Sequence, residues 1–255
     1  MSVLKSVLLV GAFLLISNGM QAQSGEKLPD TNKRMPFEHG TYEQVINVVG
    51  KGNGEEVVMK ITQTVYFAHW GDWVATEFLM EISELEDAHH LLIFKEKTYL
   101  EIDLIEKTGR MREFTIDELD KAINLGSILI APYLKKLFGE AMEIKKEMSE
   151  EYLGYTCKKT HVKYVPIKQK NRKQKKKQAE NAEITALTYD NGNFPMKTDM
   201  KLNIEGVSME MSSKITSINL DAPPASVFEV PDDVEIIVVD FDDDVKIEEA
   251  VEIEE

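Results

Sequence analysis

The chain has 255 residues, is 43% hydrophobic and carries a formal net charge of -15. That length can bury one large core, and that charge excludes general attraction to nucleic acid. The single cysteine, Cys157, cannot form an internal disulfide, which excludes a small disulfide-stapled scaffold.

Residues 1–22 predict an export signal. Lys5 precedes the apolar run 7–16; Ser17, Asn18 and Gly19 follow, and Ala22-Gln23 offers a cleavage point. One positive charge, about ten apolar residues and a small, polar exit fit a secretory signal peptide and fall short of the roughly 20 apolar residues of a spanning helix. No cysteine stands near the exit, so the expected protein is periplasmic or secreted, without a lipid anchor. Residues 23–39 read as a flexible leader, rich in Lys, Pro, Asp and Asn.

From Gly40 the hydrophobic period becomes two. In 57–67, Val57, Met59, Ile61, Val65 and Phe67 share one face; in 74–82, Val74, Phe78, Met80 and Ile82 do so; in 99–104, Leu100, Ile102 and Leu104 do so. Such alternation predicts antiparallel strands with one buried face, and Gly71-Asp72 predicts a tight turn. The pattern then switches once. Thr115-Ile116-Asp117-Glu118 forms a capping box, and Ile116, Leu119 and Ile123 follow at helical spacing. Gly126 weakens the segment, Pro132 kinks or restarts it and Gly139 stops it, giving one helical segment of about 20 residues or two short helices.

Strands resume in 142–148 and 155–165, on either side of a turn at Leu153-Gly154, then in 183–189 and 196–204. In 209–220 the apolar phase is odd at Met209, Met211 and Ile215 but even at Ile218 and Leu220. A one-residue slip in a period of two predicts a β-bulge near Thr216-Ser217. Pro223-Pro224 ends the strand, and 226–231 predicts a docked apolar segment. Two charged appendages complete the chain. Lys168, Lys170, Arg172, Lys173, Lys175, Lys176 and Lys177 lie in an insertion at 167–182, and residues 236–255 form an acidic tail. Neither composition can bury a core.

The run Gly154-Tyr155-Thr156-Cys157-Lys158-Lys159, then Thr188-Tyr189-Asp190, Phe194-Pro195-Met196, the paired Met-rich strands around Gly206 and the closing 226–231 segment resemble a family of secreted Gram-negative envelope proteins. That family is related to the lipoprotein-carrier (LolA/LolB-like) superfamily. The resemblance covers roughly residues 40–235. It implies a mainly β (α+β) fold, a curved antiparallel incomplete β-barrel wrapped around a central helical segment, with a hollow that accepts acyl chains in the carriers. It implies no functional residue, because the matching positions are turn and core positions.

Catalytic and metal motifs are lacking. His89-His90 is the only local cluster of metal-binding type, and adjacent strand residues point to opposite faces, so these read as solvated histidines near a turn. No G-x-S-x-G elbow, P-loop or dinucleotide glycine fingerprint is present. Cys157 reads as a buried, inert thiol: His161, four residues on, lies ~13 Å away along a strand. The expectation is therefore a protein without enzymatic activity or cofactor.

Apolar strand positions carry the more specific reading. Met59, Ile61, Phe78, Met80, Met200, Leu202, Met209 and Met211 are either ordinary core or the soft lining of an apolar, lipid-like ligand site, since methionine adapts to irregular shapes. The basic run is either a solvated loop, a contact for anionic lipid headgroups, or a partner for the acidic tail. A structural or protein-interaction module with a filled core is the alternative to ligand binding. Protein exported from a Gram-negative host is expected to begin near Gln23 or Ser24 by intact-mass measurement; retention of Met1 on a membrane-bound form would contradict the export signal.

Overall fold

The computed structural model describes residues 35–52, 54–83, 85–113, 142–146, 148–164, 179–189, 194–204 and 207–238. The expected signal peptide, helical segment and seven-residue basic cluster, with residues 239–255 of the acidic tail, lie outside the described residues.

Thirteen strands form one sheet: β1 (Gly40–Gly52), β2 (Glu55–Ala68), β3 (Trp73–Ile82), β4 (Ala88–Lys95), β5 (Thr98–Asp103), β6 (Thr108–Glu113), β7 (Met142–Lys146), β8 (Glu150–Tyr152), β9 (Tyr155–Tyr164), β10 (Ala179–Tyr189), β11 (Phe194–Ile204), β12 (Val207–Asn219) and β13 (Glu235–Val238). The order is β13-β6-β5-β4-β3-β2-β1-β12-β11-β10-β9-β7, and β8 also pairs with β9. Every pairing is antiparallel except β13 with β6. Among the described residues the sheet does not close into a barrel.

The expected alternation is strict in β2, where Val57, Met59, Ile61, Gln63, Val65 and Phe67 are buried and the residues between them face outward. β1 lies between β2 and β12, so Ile46 stands beside Ile61 on one side and Ser213 on the other. Glu43 pairs with Ser217 and Gln44 with Ile215, which leaves Thr216 as the extra residue of a β-bulge. That bulge sits where the sequence phase slips. The Leu153-Gly154 turn also stands as expected, with φ of 51° and 78°, the left-handed pair that suits a two-residue hairpin.

The sheet curls. β8 stands four strand positions from β12, ~19 Å in a flat sheet at about 4.8 Å per strand. Yet the Tyr152 hydroxyl donates to the Ile215 carbonyl at 2.7 Å. Only a sheet folded over its inner face can make that contact. At one end of the inner face Tyr42, Val65, Phe67, Val74, Phe94, Cys157, Phe194, Met196 and Ile215 form a buried cluster with Met35. Phe37 stacks on Tyr189 at 5.5 Å and tilts against Tyr155 at 5.7 Å. Cys157 is fully buried, as expected.

The outer face of β3–β6 is covered separately. Phe228, in a short 3-10 turn at Ala225–Phe228, packs with Ala75, Ile93, Leu100 and Ile102, joined by Val227, Val230, Val234 and Ile236. Leu100 and Ile102 therefore face this cover and not the inner face. Gly109 makes the cover fit: a Cβ there would lie 2.6 Å from Ile236 Cδ1 and 3.0 Å from Ile102 Cγ1.

Three expected boundaries are corrected. Met35 is buried and its N–H donates to the Trp70 carbonyl at 2.9 Å, so residues 35–39 belong to the folded part and not to a leader. β10 begins at Ala179, inside the expected basic insertion. Glu235–Val238 pairs with β6, so the tail's first residues are a strand. In each case backbone pairing or one buried side chain outweighs a polar local composition. Gly109→Val is expected to lower stability by about 1–3 kcal/mol through overpacking in urea unfolding, and an unchanged midpoint would contradict the close approach of Ile236.

Candidate functional site

The eight residues singled out by their strand phase come together on the inner face of the sheet, in a cluster separate from the tyrosines. Met59, Ile61, Phe78, Leu202, Met209 and Met211 are buried in one cluster with Ile46, Val48 and Val57, and Met80 and Met200 pack against it. They come from β2, β3, β11 and β12, which with β1 are five consecutive strands of the sheet. Cross-strand register explains the convergence, because residues directly opposite share a face. Leu202 stands opposite Met209, Met200 opposite Met211, and Ile61 opposite Met80. Five methionines thus meet on one apolar surface; their unbranched, polarizable side chains can reshape it at low cost. Met80, Ile82, Leu92, Met200 and Val207 are its half-buried margin.

Charge is kept off this surface. Lys60–Glu81 at 2.7 Å, Lys51–Glu56 at 3.0 Å and Lys201–Glu210 at 3.2 Å lie on the outer face, with side chains 44–64% exposed. Such pairs contribute little stability each. Their effect is to hold the sheet's outer face in water.

A polar row, absent from the sequence-based list, separates the methionine end from the tyrosine end. Gln63 donates through Nε2 to Gln44 Oε1, and Gln44 Nε2 donates to Ser213 Oγ at 2.6 Å. The relay crosses β2, β1 and β12. Gln63 is 1% exposed, and its Oε1 has no hydrogen-bond partner. An unsatisfied buried acceptor costs about 1–3 kcal/mol. The signal for this row was in the sequence: Gln63 interrupts the odd phase of 57–67 between Ile61 and Val65.

His90 corrects a second expectation. The two histidines do point to opposite faces, and His89, its side chain 37% exposed, is solvated as expected, but the Nδ1 of His90 is not. His89 bonds Glu77 at 2.9 Å. His90, in β4 directly opposite Phe78, stacks on that ring at 5.3 Å, and its Nδ1 is buried without a partner. Further along the same face the sheet becomes charged: Asp103 lies opposite His90 and Thr108 opposite Asp103, while Arg110 lies opposite Glu101. Asp103 is committed to its own turn. It accepts N–H bonds from Ile105 and Glu106 at 2.8 and 2.9 Å, and the bond from Glu106 is the main cause that holds its carboxyl below the usual range. Among the described residues no group of three or more His, Cys, Asp or Glu is placed to hold a metal ion.

No protein-family model matches the chain, and no curated protein matches it by sequence. Solved structures that align with it include a conserved protein from Thermus thermophilus, at 11% identity over 77% of this chain and 90% of that one, with a TM-score of 0.37. The Pseudomonas aeruginosa MucA/MucB complex aligns at 14% identity over 78% of this chain and 59% of that one, with a TM-score of 0.36. Mycobacterium tuberculosis lipoprotein LppX aligns at 10% identity over 71% of this chain and 89% of that one, with a TM-score of 0.25. Alignments at such TM-scores establish neither a shared fold nor a shared function.

Met209 is 7% exposed and belongs to the buried part of the methionine cluster. Met209→Asp places an unpaired charge there and is expected to lower stability by more than about 3 kcal/mol. A thermal midpoint within a degree of wild type would mean that Met209 is open to water.

Proposed function

We propose that this protein is a non-enzymatic envelope protein that binds an apolar or amphipathic, lipid-like ligand on the inner face of its curled sheet. The observation that carries this reading is the convergence of Met59, Met80, Met200, Met209 and Met211 on one apolar surface of a sheet that does not close among the described residues. Ordinary cores favour side chains with well-defined rotamers; five methionines in one cluster suit a surface that must accommodate variable shapes. The export signal expected at residues 1–22 supports a periplasmic or secreted location. The motif resemblance of residues 40–235 to an envelope-protein family related to the lipoprotein carriers supports a ligand of acyl type. Lys168, Lys170, Arg172, Lys173, Lys175, Lys176 and Lys177 supply a basic cluster suited to an anionic membrane surface.

A second reading rests on burial. Six of the eight predicted residues are 0–8% exposed, as in a core filled by its own side chains. In that case the molecule is a structural or protein-interaction module. One pair of measurements separates the two readings. Met80 lies on the half-buried margin, so Met80→Asp keeps its charge hydrated. Met80→Asp is expected to hold its thermal midpoint within a few degrees while uptake of a fluorescent fatty acid falls about tenfold or more, the loss of a buried thioether contact plus a charge facing the chain. Wild-type protein that takes up no apolar probe, and from which organic extraction releases no lipid, would leave the structural module.

A further inference from the structure

Among the described residues two buried side-chain polar atoms have no partner, Gln63 Oε1 and His90 Nδ1, and both lie on one rung of the sheet. Gln63 of β2 is directly opposite Phe78 of β3, and Phe78 is directly opposite His90 of β4. Residues directly opposite share a face, so both atoms belong to the inner face and flank the Phe78 ring. Two strand spacings separate their backbones, ~10 Å. Gln63 is the free end of the relay fixed at Ser213, and His90 is held by its stack on Phe78. Phe78 itself belongs to the methionine cluster, and half-buried Met80 and Leu92 stand beside it. The rung is thus a polar step at the border of the apolar surface.

Its chemistry is specific. Gln63 Oε1 only accepts hydrogen bonds, whereas His90 Nδ1 donates or accepts according to tautomer. Among the described residues the rung continues through Gln44 on one side and through Asp103, Thr108 and Glu235 on the other, and Arg110 stands one rung away, opposite Glu101. A carboxylate or phosphate placed against Gln63 would set its own oxygens against an oxygen that can only accept. A hydroxyl or amide N–H, by contrast, satisfies Oε1 without adding charge.

Resting on the ligand-binding reading above, we infer that the ligand is a neutral amphiphile with hydroxyl or amide donors, of which a monoacylglycerol is the simplest probe. Its head sits at the Gln63–Phe78–His90 rung. Its chain lies over Met59, Met80, Met209 and Met211.

The test uses the full exported chain and three probes: 1-monomyristoylglycerol, myristic acid, and a fluorescent apolar chain whose displacement reports the other two. Wild type is expected to bind the monoacylglycerol about tenfold more tightly than the acid, the scale of one hydrogen bond to an otherwise unsatisfied buried group. Gln63→Leu is expected to bring the two within about twofold while the apolar chain still binds, and His90→Phe to reduce the preference in part; the second variant stands at a half-buried position and serves if the first fails to fold. Equal affinities in wild type, or a preference for the acid, would overturn the headgroup assignment and leave apolar binding intact. Failure of wild type to bind any of the three would overturn both.

Discussion

The arrangement depends on the double register of β1. This strand joins β2, its neighbour in sequence, to β12, some 170 residues away, for example through the Gln44–Ser213 bond. Because strand side chains alternate, a one-residue slip on either side would turn a whole apolar set outward. Ile46 and Val48 would then lose Ile61 and Met59 on one side or Met211 on the other. The bulge at Thr216 absorbs the one mismatch. It lets Met209, Met211 and Ile215 point inward beside β1 while Ile218, of the opposite phase, still packs against the tyrosine end. Placement of every inward residue on β2, β1 and β12 follows from this pairing.

Much of this was legible in the sequence because period-two alternation is strong wherever one face is buried and the other wet. The methionine faces and the bulge were readable from phase, and the docked segment at 226–231 from its apolar composition after Pro223-Pro224. Three classes of feature were not. β4 has no clean alternation: His89-His90-Leu91-Leu92 carries apolar residues on both faces, Leu92 packing with the methionine cluster and Leu91 with the C-terminal cover. β13 is a parallel edge strand whose Ile237 and Val238 are 57% and 65% exposed, so its pairing depends on backbone bonds to β6 that no local pattern announces. The curl is a long-range property, visible only once Tyr152 is seen to reach Ile215. The central helical segment, expected from a capping box, lies outside the described residues.

The inner face combines two opposed demands. A closed core would be better served by Leu or Val at positions 63 and 90. Instead a glutamine relay and a stacked histidine interrupt the apolar face, each with one buried polar atom unsatisfied by protein. Natural folds tend to break local packing rules at sites of function and compensate elsewhere. The compensation is visible at the tyrosine end, where Met35, Phe37, Tyr155 and Tyr189 pack without a polar interruption.

Methyl-labelled methionine offers the most direct measurement of the central claim. Met59, Met80, Met200, Met209 and Met211 report on the proposed surface, while Met35 and Met196 sit in the tyrosine-end cluster and serve as internal controls. On titration with a monoacylglycerol, the methyl resonances of the first five are expected to shift together and to saturate at one ligand concentration, with Met35 and Met196 unmoved. Resonances of the five that stay fixed, or shifts confined to Met35 and Met196, would contradict the assignment of the methionine end of the sheet as the binding surface.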